Sequence, residues 1–396
     1  MLERYIVAQT LATYLSSCLT KYISELTQLC EIDSKTFHPA GINQMAAWVC
    51  NWVMPHHWQV RKWLDEETGN SIMVTVRGGN PNGLRVLLAT HLDTMFPRTA
   101  FEQLSLRRDG DHLICPGVAA NKSGLLSGLY AMESLENLEL LEPFGCISLF
   151  CGSDEEDEEH GMNSSTALLR ELAPNYDVSF VLEAGCENGD IIGGRKGCGQ
   201  FILDNRSQTL NANDVTSSIS ENSIMALVRQ IIALQQLNGM QAGISVNVGV
   251  VQGEAFPFYE IDSARAEIAA WVTSSKEKEA VSTAITHIAS IPFIFGITTT
   301  LKCDWRFAPV EETPENRALA ILAKTCAREL NFDVAITRVR GLSYANILAG
   351  LGLSILDGLG PSGGYLHTPY EYINVSSIMP RIALLVLLMV LKARQM

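Results

Sequence analysis

Three short, nearly unbroken apolar runs constrain this chain most: Arg85–Thr90, Cys146–Cys151 and Val178–Leu182. Runs of this length, rich in Val, Leu, Ile and Phe, read as strands buried on both faces. Between them stand helical patterns, Lys122–Leu135 and Thr166–Leu172. Strands that alternate with helices pair in parallel, because each crossover carries the chain back over the sheet. The expectation is an α/β layered domain around a central, mostly parallel sheet. Ahead of it, Leu15, Leu19, Ile23, Leu26 and Leu29 space out a helix over Leu11–Cys30, and Gly41–Met54 reads as a second. Ser71–Arg77 alternates and stops at Gly78-Gly79, as a strand does.

The pattern changes after Gly194-Arg195-Lys196-Gly197. Strands are expected at Gln200–Asp204, Ile244–Val251, Ser263–Thr273 and Ile297–Trp305, with helices at Ser223–Leu237 and Lys276–Ser290. That order describes a compact two-layer α+β unit inserted into the larger domain. From Pro314 the first pattern returns, with a helix Glu315–Leu330, a glycine-rich segment Gly350–Gly364 and a final helix Ser376–Ala393. The expected division is 1–198 and 309–396 for the larger domain and 199–308 for the insert.

With 396 residues, 47% of them apolar, the chain can bury a sizeable core. Its formal net charge of −14 speaks against nucleic acid and anionic membranes as partners, since both demand basic surface. The apolar stretch Ile382–Leu391, bracketed by Arg381 and Lys392, is about half the roughly 20 residues of a membrane span, so it reads as a buried helix. Glu3 and Arg4, then Lys21 and Glu25, give the N-terminus no signal-peptide profile. Ten cysteines without a C-x-x-C pair suggest reduced thiols in a cytoplasm.

The residues able to carry chemistry cluster at the ends of the buried strands, where open α/β sheets gather ligands. His91-Leu92-Asp93 follows the first run; such a His can bind a metal while the Asp orients it. Asp154-Glu155-Glu156 follows the second, and adjacent acids suit a division between cation binding and general-base work. They also open a run of six acids, and charge runs are usually solvated. Glu183 ends the third run. Gly358–His367 reads GLGPSGGYLH, in which glycines allow close backbone approach to a ligand before His367. Each feature alone fits a structural role. Four in conjunction are hard to assign to accident.

The segments LLATHLDTMFP (Leu87–Pro97), CPGVAANKSG (Cys115–Gly124), GSDEE (Gly152–Glu156), VLEAG (Val181–Gly185), GRKG (Gly194–Gly197) and GLGPSGGYLHTPYEY (Gly358–Tyr372) occur in that order. In this the sequence resembles the zinc-dependent amidohydrolases that include carboxypeptidase G, aminoacylase, acetylornithine deacetylase and succinyl-diaminopimelate desuccinylase. The resemblance implies a catalytic domain binding two metals, usually zinc, and an inserted lid that often mediates dimerisation. It implies that His91 and Glu183 hold one metal and Glu156 and His367 the other, with Asp93 orienting His91. Glu155 would be the general base that takes a proton from the attacking water and returns it to the leaving nitrogen.

The departures from the family are localised. Ala120 stands where a carboxylate bridges the two metals. Asn121, one residue on, offers an amide oxygen as a weak ligand, better matched to another, harder divalent cation than to zinc. The lid segment Asp204–Asn213 lacks the usual His. Pro257 and Trp271 align with an Asn and an Arg that grip a substrate carboxylate, and Tyr344 replaces an Asp. Yet Asp93, Glu155, Glu156 and Glu183, brought into one pocket, would repel one another unless a cation sat among them. One reading is therefore a metallohydrolase for a small acyl-amino-acid or peptide-like substrate, with at most one firmly held ion. The alternative is an inactive relative that binds a small molecule or a partner. A homodimer through Ser223–Leu237 of the insert is expected.

Overall fold

A computed structural model describes residues 2–95, 105–156, 163–207, 223–253 and 263–395. The chain forms two compact units. Met1–Gly194, Glu312–Val339 and Ser343–Met396 build the first; Arg195–Glu311 and Arg340–Leu342 build the second.

The first unit is organised by a six-stranded sheet in the order Gln59–Trp63, Ser71–Arg77, Phe144–Gly152, Leu84–His91, Val178–Val181, Ser354–Leu356. The last three pairings are parallel and the first two antiparallel, so the sheet is mostly parallel with an antiparallel margin. The central strand Leu84–His91 is buried at every position except Arg85. The crossover from it to Phe144–Gly152 runs through the helix Ser123–Asn137, which is buried from Ser123 to Leu135. Three apolar runs with no polar alternation leave no face for water, and the central strands are buried accordingly.

Register then decides where the polar residues fall. His91 pairs with Gly152 in the parallel ladder. The N–H of Leu92 donates to the carbonyl of Gly152 at 2.7 Å, and that of Leu182 to Ala89 at 2.9 Å. Three strands thus finish side by side, and the segments starting at Leu92, Ser153 and Leu182 leave the sheet from one edge. A smaller four-stranded sheet, Gly363–Gly364, Tyr372–Asn374, His112–Ile114 and Arg107–Asp109, ties the glycine-rich segment near the C-terminus to the stretch just before Gly117.

The helix expected over Leu11–Cys30 is two helices, Leu2–Ser16 and Leu19–Cys30. At the break, Ser16 Oγ donates to Thr13 O, and Ser17 Oγ and Cys18 Sγ both reach Tyr14 O. Short polar side chains that take the carbonyls compete with the helix ladder. The glycine-rich segment Gly350–Gly364 holds the edge strand Ser354–Leu356. The final helix, Val375–Ala393, is the one described helix long and apolar enough to cross a membrane, but 78% of that window is buried inside the fold. It is a core helix, and it carries a buried arginine, Arg381. None of the ten cysteines is in a disulfide among the described residues.

The second unit is an antiparallel sheet in the order Ser245–Gly253, Ser263–Val272, Gly197–Ser207, Ile297–Phe307. Gly197–Ser207 and Ser263–Val272 alternate between buried and half-buried positions along their length. Their inward residues Phe201, Leu203, Ala266 and Ile268 pack with Leu227 and Leu234 of the helix Ser223–Gln235 and Val281 and Ile285 of the helix Ser275–Ser290. Strand, helix, strand, strand, helix, strand is the order read from the sequence.

Candidate metal centre

His91 is the last residue of the central strand and is almost wholly buried. Its Nδ1 lies 3.0 Å from the carbonyl and 3.1 Å from Oδ1 of Asp93. Asp93 itself cannot swing. Its Oδ1 accepts the N–H of Glu155 at 3.1 Å, and its Oδ2 accepts the N–H of Glu156 at 2.9 Å and the hydroxyl of Thr36 at 2.8 Å. With Nδ1 engaged by Asp93, the lone pair of Nε2 is directed the other way, the arrangement found in carboxylate–histidine–metal triads.

Acids meet that Nε2. Glu155 Oε2 is 3.8 Å from it and Glu183 Oε1 3.7 Å. One donor atom each from His91, Glu155 and Glu156 lie within 4.8 Å of one another. His367 Nδ1 is 3.5 Å from Glu156 Oε2. The strand ends and the segment after Gly364 therefore converge: His91 with Glu183, and Glu156 with His367, are the pairs formed, and Glu155 stands beside both.

The electrostatics follow from burial. Removal from water drives the carboxyls of Glu155 and Glu156 well above the usual range; His91 pulls both down, while the neighbouring acids push both further up. Burial lowers the His91 imidazole, but Glu155, Asp93 and Glu183 overcome it and hold its pKa well above the ordinary value. Burial also depresses His367, with His91 acting in the same direction. Among the described residues, His91 Nε2 and Glu155 Oε1 are buried without a hydrogen-bond partner. Orphaned donor atoms facing one another among acids that repel are the chemistry of a cation site. Two imidazoles among several carboxylates suit a divalent ion of borderline or harder character, such as zinc or manganese.

Asn121 is fully buried beside this cluster. Its Nδ2 donates to the carbonyls of Asp93 at 2.6 Å and His91 at 3.3 Å, and its Oδ1 has no partner among the described residues. Ala120 is buried, and its methyl offers no ligand. Trp271, in the second unit, carries the guanidinium of Arg340 at 4.9 Å from its ring centroid. Pro257 and the segment 208–213 lie outside the described residues.

A family model described as peptidase family M20/M25/M40 matches residues 87–390, well over half of the chain. The chain belongs to this peptidase family. The M20/M25/M40 assignment agrees with the resemblance carried by the six segments. Over 114 residues the chain is 28% identical to carboxypeptidase G2 of Pseudomonas sp. (strain RS-16), a match covering 28% of this chain and 26% of that one. The matched stretch thus spans about a quarter of that relative's length. Among solved structures, a tripeptidase from Staphylococcus aureus is similar with a TM-score of 0.75 and 17% identity, covering 95% of this chain and 99% of that one. Aminopeptidase PepT from Bacillus cereus gives 0.73 and 17%, over 94% and 98%. A dinuclear metal-binding M20 peptidase from Bacillus subtilis gives 0.71 and 14%, over 96% and 99%. At these identities the likeness is one of fold.

Three residues that order this M20/M25/M40 site were not singled out in the sequence. Thr36 fixes Asp93 from 57 positions away. Glu371 accepts the N–H groups of Gly117, Ala119 and Ala120. Arg381, from the final helix, donates to the carbonyls of Gly358, Gly360 and Gly189, pinning the glycine-rich segment. The one signal for the latter two was a charged residue within or beside that segment, with no evident partner in sequence.

Proposed function

We propose that this chain is a metal-dependent hydrolase of amide or peptide bonds, acting on small acyl-amino-acid or peptide-like substrates. The observation that carries the reading is the convergence of His91, Glu155, Glu156 and Glu183, with Asp93 locked behind His91. His91, Glu156, Glu183 and His367 would hold the ion, with the amide oxygen of Asn121 as a weak additional donor. A bound divalent ion supplies Lewis acidity towards an amide carbonyl and makes water easier to deprotonate.

The chain's own residues supply the rest. Glu155, its carboxyl raised by burial, is suited to take a proton from water and hand it to a leaving nitrogen near neutral pH. Asp93 keeps the His91 ring in one tautomer and one orientation. With Ala120 in place of a bridging carboxylate, the donors suffice for one firmly held ion rather than two.

A second reading is a catalytically inactive relative that binds a small molecule or a protein partner. Ala120, together with Trp271 in the second unit, favours it. Metal analysis of purified protein before and after addition of zinc or manganese, followed by assay against dipeptides and N-acyl amino acids, separates the two. One ion with turnover supports the hydrolase; no bound ion after addition defeats it.

Ten cysteines with no disulfide among the described residues support work in a reducing compartment such as the cytoplasm. A homodimer through the second unit is supported by the apolar stripe Met225, Val228 and Ile232, all exposed on the helix Ser223–Gln235. Light scattering of wild type and Ile232→Asp tests it: a dimer that the substitution dissociates is expected, and a wild-type monomer rejects it.

A further inference from the structure

Glu371 is completely buried and lies four residues beyond His367. Its Oε1 accepts the N–H groups of Ala119 at 2.7 Å and Ala120 at 2.8 Å, and its Oε2 accepts that of Gly117 at 3.0 Å. The backbone N–H of His367 lies near the same carboxylate and helps to lower its pKa. The segment Val118–Lys122 forms a single π-helical turn entered through Gly117 at φ +74°, and the amides of Gly117, Ala119 and Ala120 converge on one spot while that of Val118 bonds the carbonyl of Cys115. Such a nest of amides is an anion site, and here a side chain of the protein fills it. Burial raises the carboxyl of Glu371, and the amide bonds draw it back down.

The consequence is a mechanical link. The turn that carries Ala120 and Asn121 hangs on Glu371 from behind. Asn121 in turn donates to the carbonyls of His91 and Asp93, while His367 stands four residues before Glu371 with its backbone N–H near that carboxylate. The two sides of the cluster, His91 with Glu183 and Glu156 with His367, are thus spaced by one group that bonds only backbone in this network. The geometry points to Glu371 as a positioning residue that sets the separation of the His91 and His367 sides and thereby the affinity for the ion. This rests on the metal-site reading above.

The test is zinc titration of metal-free Glu371→Gln by competition with a chromophoric chelator, alongside circular dichroism and melting of the metal-free protein. A glutamine turns an NH2 group towards amides that need an acceptor. The expected result is a zinc Kd weaker by about 10- to 100-fold in a folded protein, the usual cost of losing a group that orients ligands. Glu136→Gln is the control. Glu136 accepts from Trp58 Nε1 and meets His56 Nδ1, both at 2.9 Å, in the same unit. It should lower the melting temperature and leave zinc affinity alone. Should Glu371→Gln fail to fold, Glu371→Asp decides: it keeps both acceptor oxygens but withdraws them by one methylene, and weakened zinc binding supports the inference. Wild-type affinity in a folded Glu371→Gln, or in Glu371→Asp where the first is unfolded, overturns this inference alone. Wild-type protein that takes up no zinc overturns it together with the metal-site reading.

Discussion

The strand-end cluster and the turn Gly117–Lys122 are neighbours, joined where Asn121 donates to the carbonyls of His91 and Asp93, and they are built in opposite ways. At the strand ends the side chains carry the chemistry, and backbone amides of Glu155 and Glu156 serve Asp93. At the turn Ala120 offers only a methyl, and the order comes from Glu371, which accepts the N–H groups of Gly117, Ala119 and Ala120. One region is built on side chains and the other on backbone, so the two should respond differently to substitution.

The strongest break falls on the strand-end side. Glu155→Gln removes the proton carrier, and turnover of a cleaved dipeptide should fall by about 100- to 10,000-fold while metal content stays near wild type. Unchanged turnover takes Glu155 out of the base role, and loss of the ion moves it into the ligand set. Next is Asp93→Asn, which spoils the acceptor for Nδ1 of His91; zinc affinity should weaken by about 10- to 100-fold in a chelator competition. Equal affinity would mean that His91 needs no orienting partner.

On the turn side the effects are smaller and of the opposite kind. Ala120→Asp places a carboxylate on the turn, and the bound metal measured by plasma mass spectrometry should rise from one ion towards two per chain. No rise means that position 120 does not face the cluster. Smallest is Gly117→Ala. A Cβ there sits at φ +74° and 2.7 Å from Thr94 Cγ2, so a loss of roughly 1–2 kcal/mol is expected. That should lower the melting temperature by a few degrees, read by calorimetry. A wild-type melting curve would show that the turn is looser than its bonding suggests.

What could be read beforehand follows the same line. That His91, Glu155 and Glu183 meet was legible only in conjunction: each follows an apolar run and alone fits a structural role, but buried parallel strands that finish side by side bring the residues after them together. The second unit was legible because two-residue alternation and helical spacing are both periodic. Thr36, Glu371 and Arg381 were not, since each works through backbone groups or a partner far away in the chain, and such bonds leave no pattern of residue types. The strands Arg107–Asp109 and His112–Ile114 are three residues each, too short for a period to show. The break at Ser17 was hidden by leucines that keep helical spacing through it.

The first unit is assembled from three stretches of chain, with the second unit's residues lying between them. During synthesis, Arg195–Glu311 can close its own sheet while the larger unit still lacks the strand Ser354–Leu356, His367, Glu371 and the greasy helix from Val375 onward. A growing polypeptide thus carries three strand tips laden with acids and a histidine well before the last piece of their cradle emerges. Whatever ion the mature molecule holds should be acquired late, after translation has passed that final helix.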